Sequence, residues 1–454
     1  MTTVHQAFRF ALDPTPTQER HLRSHCGAAR FAFNWGLALV KDRLDAYQAD
    51  ANTTVPWTLP ALRREWNHAK YEVAPWWAEN SKEAYSSGLD ALARALRNWS
   101  GASGAPGPRR RAGFPRFKNK GRGPQTCRFT TGPMRVEPDR HHVTLPRLGT
   151  IRTHESTRKL ARRIEHGTAR ILSATVSCRA ERWFVSFTVE AERNANVNGR
   201  REAVVGVDAG VHHLAVLSTG EIIENPRPGQ SHLRKLRRLN RELARRRPGS
   251  RRREATRRRL ACLHARVKNL RQDELHKLTT RLAKRYDVVV VEQLNVAGML
   301  RNRPLARAVA DTSMAELRRL LTYKTSWYGS RVFVADPWFP SSKTCSACGH
   351  VKAKLGLAER LFVCDTCGLK ADRDLNAARN LAQLAAGSGA EAQNAGGPDV
   401  SLGHAEQSGQ KREASAGYGQ SRLAPPPSNR GLPESGPRTG RVTVLRLMAS
   451  EGGP

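Results

Sequence analysis

Apolar residues recur along the chain with two different periods, which predicts alternating helical and strand-rich regions. Residues 4–12 fit a short strand. From residue 16 to about residue 99 the period is helical, with one apolar face formed by Leu22, Ala29, Phe33 and Leu37. Between about residues 127 and 192 the period is two. Its clearest part predicts a β-hairpin that turns near Cys178–Glu181, with one strand face formed by Trp183, Val185, Phe187 and Val189.

From residue 202 onward, short apolar strands alternate with helical segments. Buried strands are predicted at 203–207, 214–217, 288–291 and 331–335, and helices at 231–285 and from Ser313 through Tyr328. Ser313 and Glu316 have the spacing of a capping box at the start of the last of these helices. Strands that alternate with helices favour a mixed α/β layer fold.

Composition adds a strong charge bias to this pattern. The 454 residues include 77 Lys and Arg against 40 Asp and Glu, giving a formal net charge of +37 and a pI near 11.1. Such a surplus costs self-repulsion unless a polyanion relieves it, and nucleic acid is the common cellular polyanion. Residues 231–271 alone hold 17 Lys and Arg against 2 Glu. A solvated basic face is the alternative for this segment, but its concentration of charge favours nucleic-acid binding.

The sequence also indicates where the protein is located and which part of it is disordered. The N-terminus lacks the basic and apolar stretches of a signal peptide, and every apolar run is too short to cross a bilayer. We therefore expect a soluble bacterial protein of the cytoplasm, associated with the nucleoid and without a membrane partner. Among residues 387–454, 20 are Gly or Pro, which predicts a mostly disordered tail.

Four of the eight cysteines form two closely spaced pairs, Cys345 with Cys348 and Cys364 with Cys367, separated by fifteen residues. Each pair can present two thiolates to one tetrahedral ion, and the glycine after each second cysteine permits the turn that this requires. Two disulfides are the alternative, which an intracellular location disfavours. We predict a zinc ribbon. Because protein would fill all four positions, the zinc would be structural and not catalytic.

Two acidic residues stand at the ends of predicted buried strands. Asp208 follows the strand 204–207, and Glu292 follows the strand 288–291. A carboxylate in such a position is poorly solvated and costly unless it is paired or binds a metal. Strand-end acids often only turn the chain or pair with arginine, so neither residue alone establishes a site.

A third acid follows the zinc ribbon. Asp374 falls in the first turn of a helix whose apolar stripe is formed by Leu375, Ala378 and Leu381, and Asp372 has the position of the helix cap. Phosphodiester cleavage with two metal ions needs carboxylates that converge from separate elements. Asp208, Glu292 and Asp374 are therefore the candidate catalytic and metal-binding residues.

These segments together resemble the TnpB (OrfB-type) family, whose members are encoded by insertion sequences and are related to compact type V CRISPR nucleases. The similar segments are Ser341-Ser-Lys-Thr-Cys-Ser-Ala-Cys-Gly, Asp372-Arg-Asp-Leu-Asn-Ala-Ala-Arg-Asn, Gly206-Val-Asp-Ala-Gly and Val291-Glu-Gln-Leu-Asn-Val. Matches to the family's opening helices and to a segment at 114–118 extend the resemblance over about residues 5–385.

The resemblance implies an RNA-guided DNA endonuclease encoded by a transposable element. Its partners would be a guide RNA and a double-stranded DNA target. Asp208, Glu292 and Asp374 would hold Mg²⁺, as two ions, with Mn²⁺ as the other possible metal, and structural Zn²⁺ would occupy the four cysteines.

The resemblance also implies a multidomain α/β architecture. Residues 1–12 and 125–198 would form a β-barrel (wedge) domain interrupted by a helical recognition insert, 13–124. Residues 199–386 would form a RuvC (RNase H-like) nuclease domain carrying the zinc ribbon at 341–370. Two other functions stay open: an unguided transposase or resolvase acting on element ends, and a regulator that binds nucleic acid without cutting. The complete set of three acids weighs against the regulator.

Overall fold

The computed structural model describes residues 2–101, 112–121, 123–193, 201–356 and 358–387. Apart from Gly387, at the end of the last helix, the predicted disordered tail lies outside these residues.

The first half of the chain inserts helices into a β-sheet. It consists of β1 (Thr2–Asp13), α1 (Pro16–Ala49), α2 (Leu59–Val73), a 3₁₀ turn (Pro75–Glu79), α3 (Lys82–Ser100), β2 (Gln125–Phe129), β3 (Arg135–Val136), β4 (His142–Leu145), β5 (Gly149–Thr153), α4 (Arg158–Glu165), β6 (Ala169–Arg179) and β7 (Arg182–Arg193). The predicted strand–helices–strands order is confirmed.

Local signals fix the start and the packing of the long helix α1. Thr15 and Gln18 form a reciprocal capping box, and Pro16 occupies the first turn, where its missing N–H is not needed. Gly88 of α3 lies directly against the α1 backbone, because a Cβ atom there would stand 2.1 Å from the carbonyl oxygen of Ala29. Only glycine allows two helices to approach this closely.

The seven strands of this half form one sheet in the order β2-β6-β7-β1-β5-β4-β3. The predicted hairpin is confirmed as β6–β7, joined by Ala180 and Glu181 with φ values of 50° and 64°, as a two-residue turn with right-handed strand twist requires. Its predicted apolar face is buried. In the described residues β2 and β3 do not pair, so the predicted barrel is an open sheet. β3 has only two residues, which are too few to form a ladder of backbone hydrogen bonds with β2.

The second half of the chain alternates strands and helices as predicted. It consists of β8 (Glu202–Asp208), β9 (His213–Leu217), β10 (Ile222–Glu224), α5 (Pro228–Ser231), α6 (Leu233–Arg245), α7 (Arg251–Arg285), β11 (Tyr286–Glu292), α8 (Val296–Met299), α9 (Arg303–Thr312), α10 (Met314–Tyr328), β12 (Arg331–Ala335), β13 (Leu361–Val363), β14 (Lys370–Asp372) and α11 (Arg373–Gly387).

A five-stranded mixed sheet, β10-β9-β8-β11-β12, forms the centre of this half. β8, β11 and β12 are parallel, and β9 and β10 run antiparallel to their neighbours. Alternate residues of β8 and β11 face opposite helix layers. Val205, Val207, Val289 and Val291 pack against α7 and α10, whereas Val204, Val288 and Val290 pack with Leu381 of α11. The predicted mixed α/β layer fold is confirmed.

The predicted capping box at Ser313 is wrong. α9 ends at Thr312 and α10 begins at Met314, so Ser313 alone makes the connection, with a φ of 54°. Its hydroxyl donates to the carbonyl of Ala310 in the preceding helix, and Glu316 pairs with Arg319.

None of the helices in the described residues is both long and apolar enough to span a membrane.

Candidate metal centre

Asp208 and Glu292 end two adjacent parallel strands at the same edge of the sheet. In the β8–β11 register Val207 pairs with Val291, so the following residues, the two acids, lie side by side at a strand spacing of about 4.8 Å. Alternation along the strands places Asp208 on the face of Gly206 and Glu292 on the face of Val290, which is the face that α11 covers. Both carboxylates therefore point toward α11.

α11 brings the third acid to the same edge. The helix lies directly on β8 at Gly206, where a Cβ atom would stand 1.9 Å from the carbonyl oxygen of Ala378 and 2.7 Å from the amide nitrogen of Ala382. Asp374 lies one turn before Ala378, in the first turn of the helix. The close contact between Gly206 and Ala378 therefore fixes the position of Asp374 relative to Asp208.

The charges of the other two carboxylates act on Asp208. Burial raises the pKa of Asp208 well above its ordinary value, and the charges of Glu292 and Asp374 raise it further. The nearby Arg373 acts in the opposite direction, and Asp372 makes the smallest contribution to the increase. A divalent cation between these groups would remove the repulsion, so the donor set fits a hard metal such as Mg²⁺.

Asp372 and Asp374 have different roles in the helix. Asp372 Oδ1 accepts hydrogen bonds from the backbone N–H groups of Asp374 and Leu375, both at 3.0 Å, which confirms the predicted cap. Asp374 is not used in capping. Its Oδ1 atom lies 3.7 Å from the guanidinium of Arg360, the residue that precedes β13, in a loose ion pair.

The four predicted zinc ligands converge. The Sγ atoms of Cys345 and Cys367 are 3.6 Å apart, as are those of Cys348 and Cys364, and all four lie within 4.8 Å of one another. A tetrahedron with Zn–S bonds of about 2.3 Å places the sulfurs about 3.8 Å apart, whereas a disulfide would bring a pair to about 2.0 Å. All four are free thiols. Among the described residues, only this group brings three or more such ligands within 4.8 Å, so the three carboxylates are spread more widely.

Two matching turns build the cysteine cluster. Gly349 and Gly368 have φ values of 78° and 74°, and each donates its N–H to the carbonyl of the first cysteine of its pair. Hydrogen bonds from backbone N–H groups, first that of Cys367, lower the pKa of the Cys364 thiol to about 6. The backbone N–H of Leu369 lowers the pKa of Cys367, but hydrogen bonds with the thiols of Cys345 and Cys348 outweigh it and raise that pKa to about 12. Without a metal, Cys364 is therefore favoured as a thiolate and Cys367 is not. β13 leads into the second turn, and β14 connects that turn to α11.

Buried asparagines attach this cluster to α11. Asn376 accepts from the N–H of Ser346 at 2.9 Å and donates to the carbonyl of Thr344 at 2.7 Å. Asn380 donates to the carbonyls of Ser341 and Thr344. The hydroxyl of Ser341 in turn donates to Glu292. The ribbon is therefore linked by hydrogen bonds both to the helix that carries Asp374 and to Glu292.

Sequence reasoning missed the contributions of Ser341, Asn376 and Asn380. All three lie in segments on which the family resemblance rests, but polar residues in a loop and on a helix give no local sign of being buried. The repeat of asparagine at i and i+4 on one face of α11 is the signal that could have found Asn376 and Asn380, whereas Ser341 carries no such signal.

A basic helical hairpin stands beside this sheet. α6 packs against α7, and Glu242 joins them by pairing with Arg259 at 2.5 Å and with Arg246. Most of the other Arg and Lys residues of this hairpin are exposed to solvent. In the described part of the chain no carboxylate lies within 4.0 Å of Arg234, Lys235, Arg237, Arg238, Arg241, Arg245, Arg247, Arg251, Arg258 or Arg266.

Comparison with known families matches three segments of the chain. The family model described as "Probable transposase" (OrfB_IS605) covers residues 186–303, and the "Cas12f1-like, TNB domain" covers residues 315–381. A model described as a helix-turn-helix domain covers residues 1–49, which form β1 and the single helix α1 in this structure.

Full-length relatives extend the match. A Mycobacterium tuberculosis (strain H37Rv) protein named "Putative RNA-guided DNA endonuclease" is 45% identical over 400 residues, covering 83% of this chain and 86% of its own. InsQ of Escherichia coli K12, with the same designation, is 32% identical over 398 residues, covering 84% and 92%.

Among solved structures, the fold is similar to Cas12f1 in a complex with sgRNA and target DNA, with a TM-score of 0.51 and 13% identity over 84% of this chain and 99% of that one. At that identity the match concerns the fold. The identity to full-length relatives decides membership: the chain belongs to the TnpB (OrfB-type) family.

Proposed function

We propose that this protein is an RNA-guided DNA endonuclease of a transposable element, and that Asp208, Glu292 and Asp374 form its RuvC-type metal centre. The observation that carries the proposal is the convergence of three carboxylates from two parallel strand ends and one helix start. Relatives named as RNA-guided DNA endonucleases support the substrate and the guide. Their bacterial sources support a cytoplasmic, nucleoid-associated location.

The donor set suits two Mg²⁺ ions, or Mn²⁺, and such ions stabilise charge on the attacking and leaving oxygens of a phosphodiester. The other tasks fall to the chain itself. Ser341 holds one oxygen of Glu292 in place, and Asp372 fixes the first turn of α11. Gly206 lets that helix lie on β8. Together these contacts hold the three carboxylates in position before any metal or DNA arrives.

We also propose a division of labour along the chain. Residues 1–12 and 125–198, whose described part forms the seven-stranded sheet, would act as the wedge, and the helical insert 13–124 as the recognition part. Residues 199–386 would be the nuclease domain, with the zinc ribbon at 341–370. The basic hairpin α6–α7 would follow the phosphates of guide or target, because ten of its Arg and Lys side chains have no carboxylate within 4.0 Å among the described residues.

The decisive experiment separates the three functions. The protein is purified without nuclease treatment, the bound RNA is sequenced, and DNA complementary to its variable end is supplied with Mg²⁺. We expect an RNA of defined length and cutting only of the matching DNA. Cutting of element ends after the RNA is removed would indicate an unguided transposase instead, and tight binding without any cutting would indicate a regulator.

Asp374→Asn should lose far more cleavage than Asp372→Asn. Asparagine removes the charge at both positions, but it caps helices as well as aspartate does, so Asp372→Asn keeps the start of α11 intact. We expect Asp374→Asn to lose at least about a hundredfold in rate, on the scale of a misplaced or missing catalytic group. Rates of target cleavage measured under identical conditions test this, and a larger loss at Asp372 would mean that it is the metal ligand.

One zinc ion should bind per chain at the four cysteines. Cys364→Ser is expected to lose the ion and to lower the temperature of unfolding, because a structural zinc site contributes its binding free energy to folding. Elemental analysis and thermal unfolding provide the measurements. The matched control is Cys262→Ser, an exposed cysteine outside the ribbon, which should keep both zinc and stability. Protein purified without chelator that contains no zinc would contradict the assignment.

A further inference from the structure

One tryptophan differs from all the others in this protein. The chain has nine, and in eight of them the ring contacts another aromatic ring or a cation, or donates a hydrogen bond. The indole of Trp338 makes none of these contacts with the described residues, and 88% of the residue is exposed. The next most exposed tryptophan, Trp76, is at 39% and packs edge-on against Phe31.

The backbone around Trp338 is firmly held although its side chain is not. Prolines stand at 337 and 340, on either side of Trp338 and Phe339, and restrict the turn. The N–H of Trp338 donates to Asp336 Oδ1 at 2.8 Å, and the N–H of Phe339 donates to the carbonyl of Asp336 at 3.0 Å. Phe339 packs inward against the core between the sheet and α11. The turn therefore presents the indole to solvent on a fixed base.

This turn lies beside the proposed metal centre. β12 runs parallel to β11, with Ala335 paired to Glu292, and Trp338 follows three residues later. Three residues beyond it is Ser341, whose hydroxyl donates to Glu292. Three residues span at most about 11 Å, so the Cα atom of Trp338 is no farther than this from the residue that touches Glu292.

We propose that Trp338 is a stacking platform for one unpaired nucleobase of the DNA strand that is cut, next to the scissile phosphate. This inference rests on the proposed nuclease function and adds a binding site to it. A nucleobase fits the feature because it offers a flat apolar face to a rigid indole, and its phosphates suit a chain with a net charge of +37. A base that stacks here must have left its duplex, so the site would select locally unpaired DNA.

The first test compares cleavage by guide-bound, full-length variants. Trp338→Ala should raise the DNA concentration for half-maximal rate about tenfold, within the roughly 5- to 150-fold range expected for one base–aromatic stack. Trp338→Phe keeps a ring and should restore most of the loss. Ile222→Ala removes another exposed apolar side chain, on β10 at the opposite edge of the same sheet, and should match the wild type. Thermal unfolding should be unchanged in all three.

The second test locates the base. In the Asp208→Ala background, where no cutting is expected, 2-aminopurine is placed in turn at each position of the target strand near the cut. Stacking should quench its fluorescence at one position, and Trp338→Ala should remove that quenching. An abasic site at that position should slow the wild type but should not further slow Trp338→Ala.

The outcomes distinguish this proposal from the proposed function. Trp338-dependent quenching, together with a wild-type protein that cuts no matching DNA, would support the stacking site and contradict the nuclease. Guided cutting by the wild type with no Trp338-dependent quenching at any position, and with equal half-maximal concentrations for Trp338→Ala, would overturn the stacking site alone.

Discussion

Asp208→Ala and Glu292→Ala are each expected to abolish guided DNA cleavage while leaving the fold and nucleic-acid binding intact. Each substitution removes one of the carboxylates that end the adjacent strands β8 and β11. The loss in rate should be at least about 10³-fold, on the scale seen when one member of a catalytic unit is removed. Cleavage of matching DNA is the primary measurement, and binding of the same DNA in the absence of metal is the second.

The Asp208→Ala substitution should not lower the stability of the protein, although it abolishes cleavage. Because burial and the neighbouring carboxylates raise the pKa of Asp208, its ionisation costs the folded state stability. That cost grows as the pH rises from about 3.9, the ordinary aspartate value, through the raised value in the folded protein. At pH 8 without metal, Asp208→Ala should therefore unfold at a temperature no lower than the wild type. Added Mg²⁺ should stabilise the wild type more than the variant.

A matched control separates ligation from simple loss of charge on the strand. Asp287 lies on β11 as well, but it is exposed and pairs with Arg201 at 3.4 Å. Asp287→Ala should cut normally, since Arg201 keeps its hydrogen bonds to the carbonyls of Tyr328 and Gly329. If Asp208→Ala or Glu292→Ala retains more than a few per cent of the wild-type rate, that residue does not belong to the metal centre.

The sequence could predict Asp208 and Glu292 because each signal is local: a short apolar strand that ends in an acid. It could not predict from periodicity that the two strands are neighbours, because the whole basic hairpin α6–α7 lies between them. That pairing depends on the parallel register of β8 and β11. The expectation that the two acids belong to one site therefore rested on the family resemblance.

Other features depended on contacts that no local pattern encodes. Ser341 and Asn380 read as ordinary polar residues, and only the folded chain shows them buried between the ribbon, Glu292 and α11. The predicted capping box failed because Ser313 must join two helices and takes a positive φ, which turns its hydroxyl back to α9. The barrel is an open sheet because closure requires an edge longer than the two residues of β3.

Gly206→Ala is expected to lower both stability and cleavage, although residue 206 would touch neither metal nor DNA. The added Cβ atom would stand 1.9 Å from the carbonyl oxygen of Ala378, so α11 must move away from β8 by more than 1 Å. Overpacking of this kind costs about 1–3 kcal/mol of folding free energy. Because α11 carries Asp374, the same movement opens the candidate metal centre, and a displacement of about 1 Å can cost about a hundredfold in rate.

Comparison with a second glycine shows whether the effect comes from this contact. Gly27 lies in α1, and a Cβ atom there meets nothing within 4 Å. Gly27→Ala should therefore stabilise its helix slightly and leave cleavage unchanged. Thermal unfolding establishes that Gly206→Ala is folded at the assay temperature, and zinc content shows whether the ribbon is retained, so that a loss of cleavage reports on the position of α11. A folded Gly206→Ala protein that cuts as fast as the wild type would show that the close packing of α11 on β8 does not set the position of Asp374.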